Sequence, residues 1–412
     1  MSSVSQRCVF LFLNFLLVST QLYADTDDAL TVSLLTFSPG DHAFFKFGHN
    51  ALWIHDSKNH TDDVYNFGTF YFDSWKIFPE FLLGRFQYWL SVEPLDVTIA
   101  SYKEDNRWIE AQELQLSREE KALLNARLIE NARPENAAYK YDYYRDNCST
   151  RLRDAINNVT GGVLRASGQV PARMTWRDHT RRATADTLWE YFGLDILMND
   201  VIDQPINVWQ EAFLPENLQQ LIRQTKVKSE NSEIPLVRRE FSLLAAHRPQ
   251  MRRAPPHWLG FLSLIGIIAG SIVFLLGKLS RRHPIARIVL GLCVSILGGC
   301  LGLLGIIFTL LWVFTDHQVA AHNENILLCA PFAVLLFVYG IRVAQGAVSA
   351  YLKTYWLIAA SAALSVLSLI LKLFPWFDQN NYQIIALLLP LWMGLCLALR
   401  QLSYHRLSHV SE

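Results

Sequence analysis

Between residues 258 and 399 the chain runs through five apolar stretches, at 258–276, 288–314, 326–341, 355–371 and 384–399. Each is near the length of about 20 residues at which a helix crosses a bilayer. Lipid offers the backbone no hydrogen-bond partners, so segments of this kind must be helical. The pattern predicts an all-α membrane module of five helices over 257–400, in which the third and fifth stretches are short and borrow flanking residues. Lys278, Arg281, Arg282 and Arg287 follow the first stretch, Arg342 and Lys353 the third, and Arg400 and Arg406 the fifth. The loops 315–325 and 372–382 carry one lysine between them. Basic loops stay on the cytoplasmic side, so the tail 401–412 is expected inside and everything before residue 258 outside.

The beginning of the chain agrees. Arg7, an apolar core at 8–20 and Leu22-Tyr23-Ala24 before Asp25 read as a secretory signal peptide, residues 1–24, with an uncleaved anchor as the alternative. An exported domain is then expected over 25–235 and a basic juxtamembrane linker over 236–256. Arg248, Arg252 and Arg253 in that linker are read as contacts to lipid phosphates at the outer leaflet, the alternative being a solvated linker. Net charge is zero, and no basic run alternates with aromatic platforms, so no nucleic-acid partner is expected.

Of six cysteines, Cys148 alone lies between the leader and the apolar half. It has no disulfide partner there, and an unpaired thiol in an oxidising compartment needs a reason. Asp146 and Asn147 are helix N-cap residues, and Leu152, Ala155 and Ile156 fall on one face of the segment that follows. A thiol at a helix N-terminus feels the positive end of the dipole, which favours the reactive thiolate. The competing reading is a small buried hydrophobe.

About a hundred residues upstream, 44–55 reads as a strand that contains Gly48-His49-Asn50. A polar turn at 56–63 leads into a second strand at 64–70, which contains Asn66. His49 and Asn66 thus lie on neighbouring strands of a hairpin. Together with Cys148 they form a Cys-His-Asn constellation of nucleophile, base and orienter. His55 and His60 stay as alternatives for the third member.

The blocks Gly48-His49-Asn50-Ala51-Leu52, Tyr65-Asn66-Phe67-Gly68-Thr69, Asn147-Cys148-Ser149-Thr150 and Phe213-Leu214-Pro215 resemble the Lnb-type periplasmic domain, named for a lipoprotein N-acyltransferase, over roughly residues 30–221. That domain is similar to a circularly permuted NlpC-type, papain-like fold in which the histidine precedes the cysteine, as it also does in the lecithin:retinol acyltransferase group. The resemblance implies an α+β exported domain and thiol catalysis on an acyl group, carried by Cys148 and His49. It also implies a bacterial inner membrane location, with a membrane phospholipid and a lipoprotein as substrates. In the retinol acyltransferase group the third residue is a histidine, where this strand offers Asn66.

Tyr139, Tyr141 and Tyr143 alternate before the Cys helix and read as core and rim, with one of them a candidate oxyanion donor. Tyr143 and Arg151 are the candidate substrate-binding residues, Arg151 as a local positive charge or phosphate contact. His42, His49, His55 and His60 lack metal-ligand spacing, so neither metal nor cofactor is expected. The outer-loop histidines His317 and His322 are weaker candidates for substrate contact. The resulting expectation is a membrane-anchored thiol acyltransferase that passes an acyl chain from a phospholipid through a Cys148 thioester to the N-terminal amine of a diacylglyceryl lipoprotein. The alternatives are a thiol hydrolase of the same fold (a phospholipase or a peptidoglycan amidase) and a non-catalytic membrane scaffold. The oligomeric state is not legible.

Overall fold

The computed structural model describes residues 29–70, 77–229 and 232–408. The expected signal peptide and the end of the expected tail lie outside the described residues.

Strands β1 (Leu30–Phe37), β2 (His49–Asp56), β3 (Thr61–Thr69), β4 (Gln87–Pro94), β5 (Ile109–Leu114), β6 (Ala138–Lys140) and β9 (Val237–Leu244) make one seven-stranded antiparallel sheet, ordered β6-β4-β3-β2-β1-β5-β9. A separate hairpin pairs β7 (Lys226–Ser229) with β8 (Ser232–Pro235). The helices before the apolar half are α1 (Leu95–Glu104), α2 (Arg118–Asn131), α3 (Cys148–Val159), α4 (Trp176–Ala183), α5 (Leu188–Leu197) and α6 (Pro215–Gln224), with shorter turns between them.

The sheet is covered on both faces, which is why central strand β1 is buried without a break from Val32 to Phe37. Val32, Leu34, Leu52 and Ile54 join Leu124 and Leu128 of α2, Leu152 and Ile156 of α3 and Leu218 and Leu221 of α6 in one core. Leu35, Phe37, Ala51, Val64 and Ile109 face the other way, toward Leu95, Ile99 and Tyr102. Leu152 and Ile156 are fully buried, and burial of each stabilises α3 against the sheet by about 1.5–3 kcal/mol. The α2 capping box, with Ser117 accepting from Glu120 N and Glu120 reaching back to Ser117 N, starts that helix where the Ser-Arg-Glu-Glu pattern predicts. The predicted domain end at 235 falls short. Val237–Leu244 pairs with β5, so the sheet closes inside the segment read as linker.

Four helices in the apolar half are long and apolar enough to cross a membrane: α7 (Leu259–Leu279), α8 (Pro284–Phe314), α10 (Val348–Leu371) and α11 (Tyr382–Ser408, with Tyr382–Ser403 as its apolar part). The third predicted stretch is different. It forms 3-10 turns at Glu324–Leu327 and Pro331–Leu335 and a short helix α9 (Leu336–Ala344). Pro331 supplies no amide hydrogen and biases Ala330 toward extended backbone, which breaks the helix there. The broken segment lies directly on α8, because a Cβ at Gly302 or Gly305 would fall within 2 Å of Val334 N or Cys329 O.

The two parts meet through amides and charges. Arg181 Nη2 donates to Asn380 O (2.7 Å), and Gln379 Nε2 to Met198 O (3.0 Å). Asn199 Nδ2 donates to Gln318 O (2.9 Å), and Asp316 accepts from Arg85 and Lys140. Arg177, almost fully buried, pairs with Asp195 and Asp203 and so holds α4 to the segment that touches the spans.

Candidate functional site

Helix α3 begins at Cys148 because Asn147 caps it. The Asn147 side chain accepts from Thr150 N (2.9 Å), and Thr150 Oγ1 accepts from Asn147 N (2.7 Å). Asn147 Nδ2 also donates to Tyr143 O and Phe213 O, both at 2.9 Å, which ties the cap to the Phe213-Leu214-Pro215 turn. Pro215 in turn lies 3.5 Å from where a Cβ of Gly48 would stand, and Gly48 has φ +79°. The turn that launches β2 and the turn that launches α6 are therefore packed on each other.

The β2–β3 register pairs Leu52 with Tyr65 and Asp56 with Thr61. His49 and Asn66 lie beyond that pairing at the same end of the hairpin, where β3 has a register irregularity between Phe67 and Thr69. His49 Nε2 then meets Asn66 Oδ1 at 2.5 Å. A carboxamide oxygen only accepts, so Nε2 carries the hydrogen and Nδ1 is left with its lone pair for the thiol. A Cβ at Gly68 (φ +91°) would stand 3.7 Å from Cys148 Cβ and 3.3 Å from Tyr141. The missing side chain leaves the room in which thiol and imidazole meet.

Cys148 is 6% exposed. Burial alone would push the thiol up, but the charge and hydrogen bond of His49, the Asn50 backbone N–H and Ser149 outweigh it and hold the thiol at about 7. Burial would likewise push His49 down, and the Cys148 charge with bonds to Cys148 and Asn66 raises it above its ordinary value instead. This is the electrostatic signature of a thiolate–imidazolium pair.

The structure brings Cys148, His49 and Asn66 together and leaves the alternatives outside. His55 pairs with Asp62 (2.9 Å), which also accepts from Trp53 Nε1. His60 sits in the β2–β3 turn with φ +54°. Arg151 is committed to its own helix: Nε and Nη2 form a bidentate pair with Asp146 (2.7 and 2.8 Å), and the guanidinium lies 3.6 Å over the Tyr139 ring. Its role in the fold is to clasp the Cys turn to β6. Tyr143 is partly exposed and packs edge-on against Tyr141. Arg248, read as a lipid contact, forms a bidentate pair with Asp41 and donates to Asp105 O and Asn106 O. Of the outer-loop histidines, His317 packs on Gly84, whose Cβ would lie 3.1 Å away, and His322 stands 4.6 Å from the Trp312 ring.

Two positions next to the thiol, Asn50 and Ser149, carry no clear signal in sequence, and the structure picks Tyr139 out of the three alternating tyrosines as the one beside Cys148. Asn50, fully buried, donates to Leu35 O (3.1 Å) and Thr36 Oγ1 (3.0 Å) and accepts from Ser149 Oγ (2.8 Å), which sutures β1, β2 and α3 directly behind the thiol. Its one hint is an amide next to His49 and just before the apolar run Ala51-Leu52-Trp53-Ile54. Ser149 also stands 3.8 Å from Cys148 Sγ. Tyr139 is 7% exposed, and its hydroxyl has no hydrogen-bond partner among the described residues. That oxygen would be 3.8 Å from a Cβ of Gly68, the same point that lies 3.7 Å from Cys148 Cβ.

Residues 22–182 match the Lnb N-terminal periplasmic domain, and residues 271–406 match the Lnb transmembrane domain. Comparison with curated proteins and with solved structures finds no match. The first match contains Cys148, His49 and Asn66, and the second contains most of the spans on whose outer end the site-bearing domain rests. The chain therefore belongs to the Lnb family, a membrane protein with a periplasmic N-terminal domain ahead of its transmembrane domain.

Proposed function

We propose that the protein is a thiol acyltransferase that transfers an acyl chain from a membrane phospholipid to the N-terminal amine of a diacylglyceryl lipoprotein. The observation that carries this reading is the buried Cys148 thiol, held near pH 7 by His49, in a domain fastened to the outer end of a membrane bundle. In the first half-reaction the Cys148 thiolate attacks an ester carbonyl. The C–S bond forms, and the tetrahedral intermediate collapses with cleavage of the C–O bond. The leaving lysophospholipid oxygen takes the proton from the His49 imidazolium. In the second half-reaction the amine attacks the thioester, His49 Nδ1 accepts its proton, and the thiolate leaves. Asn66 keeps His49 in the tautomer both steps need. The Cys148 backbone N–H, at the first turn of α3, and the Tyr139 hydroxyl are the donors for the oxyanion.

A helix-borne cysteine packed against an antiparallel sheet, with its histidine earlier in the chain, supports the permuted papain-like reading of the α+β domain. Charge asymmetry between the loops supports an inner-membrane protein with a cytoplasmic C-terminus. On this reading the broken segment with α9 is the module's fifth crossing.

The experiment is to incubate the purified full chain with labelled phospholipid and no acceptor. A hydroxylamine-sensitive acyl group should accumulate on Cys148. A diacylglyceryl lipopeptide with a free α-amine should discharge it into an amide, and an N-acetylated lipopeptide should not. Release of free fatty acid at one rate with or without lipopeptide would mark a hydrolase, and no labelling of Cys148 would remove the enzyme reading.

A further inference from the structure

Helix α5 is one of the elements through which the periplasmic domain sits on the spans, and its two ends are treated differently. The C-terminal end is locked. Ile196 O accepts from Asn323 Nδ2 and Asn325 Nδ2, both at 2.9 Å, and Ile196 and Leu197 pack into the core of the membrane module. Midway, buried Tyr191 donates to Gln383 at the start of α11 (3.0 Å). The rings of Tyr191 and Phe192 each stand 5.9 Å from Trp258, the residue before α7. One ten-residue helix thus touches the outer ends of two spans and the loop after α8. It must lie across the outer end of the bundle, at the height where aromatic side chains gather at a bilayer boundary.

The first two residues of α5 have no such packing. Leu188 is 52% exposed and Trp189 71%. One turn further along α5, the Trp258 that meets Tyr191 and Phe192 also packs on Phe261, an exposed residue near the start of α7 (5.8 Å). Two large apolar side chains exposed on consecutive residues, one turn before residues that touch the ends of two spans, fit acyl chains better than water. This turn is also tied to the site. Lys46, itself buried, donates to Asp186 Oδ2 (3.0 Å) and Thr187 Oγ1 (2.9 Å), the residues just before α5, and stands three residues before His49.

We infer that the first turn of α5 is a membrane-inserted lip. Leu188 and Trp189 sit among the acyl chains of the outer leaflet, and the Lys46 bridge holds the start of β2 at that depth. A donor phospholipid then reaches Cys148 without leaving the bilayer. The delivery role rests on the acyl-transfer reading, whereas the insertion rests on geometry alone.

The test has two arms, both on the full chain in vesicles of phosphatidylethanolamine and phosphatidylglycerol. In a Cys148→Ala background, the photoreactive amino acid benzoylphenylalanine at position 189 should capture labelled phospholipid, and the same group at the exposed control Leu123 should not. Capture at 189 no higher than at 123 overturns the inference whether or not the protein transfers acyl chains. In the active protein, Trp189→Glu should raise the KM for phospholipid about tenfold, the factor expected when an apolar side chain's burial of about 1.4 kcal/mol is lost. The kcat and the rate of Cys148 alkylation should stay unchanged. An unchanged KM overturns the delivery role, and capture at 189 in a wild-type protein that never forms a thioester would reject the acyl-transfer reading while leaving the lip in place.

Discussion

His49 Nε2 and Asn66 Oδ1 stand 2.5 Å apart across adjacent antiparallel strands, and this contact fixes which imidazole nitrogen is free to face Cys148. Cys148→Ala and His49→Ala should each remove nearly all amide formation, and the double variant should be no worse than either, because the two residues act as a unit. Asn66→Ala should cost less, since it removes the orienter and keeps the base. Steady-state rates of lipopeptide N-acylation check both, and an Asn66→Ala protein as inactive as His49→Ala would reassign the orienter.

Cys148 is buried, which pushes its thiol up, and His49 reverses the effect to hold it at about 7. The folded value lies below that of a free thiol, so the thiolate is gained as pH rises through 7 rather than through about 8.5. Iodoacetamide alkylation of Cys148 should therefore show a midpoint near pH 7. In His49→Ala the opposing charge is gone and burial remains, so the midpoint should move up by more than one pH unit. A midpoint that did not move would show that His49 does not set the thiol.

Tyr139 offers a buried hydroxyl with no partner among the described residues, close to the thiol. Tyr139→Phe should slow acylation of Cys148 by phospholipid about a hundredfold, the usual cost of one oxyanion donor. Alkylation of Cys148 involves no oxyanion and should be unaffected. Equal loss in both assays would point to a packing role instead.

Asn50 makes three hydrogen bonds behind the site through its side chain, while the contact to Cys148 comes from its backbone N–H. Asn50→Ala should strand Ser149 and two acceptors on β1 and destabilise the periplasmic domain by about 2 kcal/mol. Thermal unfolding should show the loss, while the alkylation midpoint should stay near pH 7 because the amide that touches sulfur is retained.

Charge asymmetry also predicts topology. Impermeant thiol labelling of single cysteines placed at His317 and Arg281 should find the first outside and the second inside. The reverse pattern would be incompatible with an exported site.

Local chemistry made much of this protein legible in its sequence. Four of the five apolar stretches form long helices, as expected where lipid cannot satisfy a backbone. The Ser117 and Asn147 caps marked two helix starts, and the hairpin was legible although its turn is shorter than the expected 56–63, since Asp56 and Thr61 already pair. Other features depended on partners distant in the chain. Only the fold could show that Arg248 is consumed by Asp41, since a solvated arginine and a paired one read alike. Val237–Leu244 reads as linker until β5 offers it an edge, because a strand is stabilised by its neighbour rather than by its own residues. The stretch 326–341 has the composition of a span, yet Pro331 and the glycine face of α8 break it into turns. Asn50 and the start of α5 acquire meaning only from what the tertiary structure sets beside them, an amide sealed behind a thiol and an apolar pair near the spans' outer ends. Among the three alternating tyrosines only the fold singles out Tyr139, whose hydroxyl, unpaired among the described residues, stands beside that thiol.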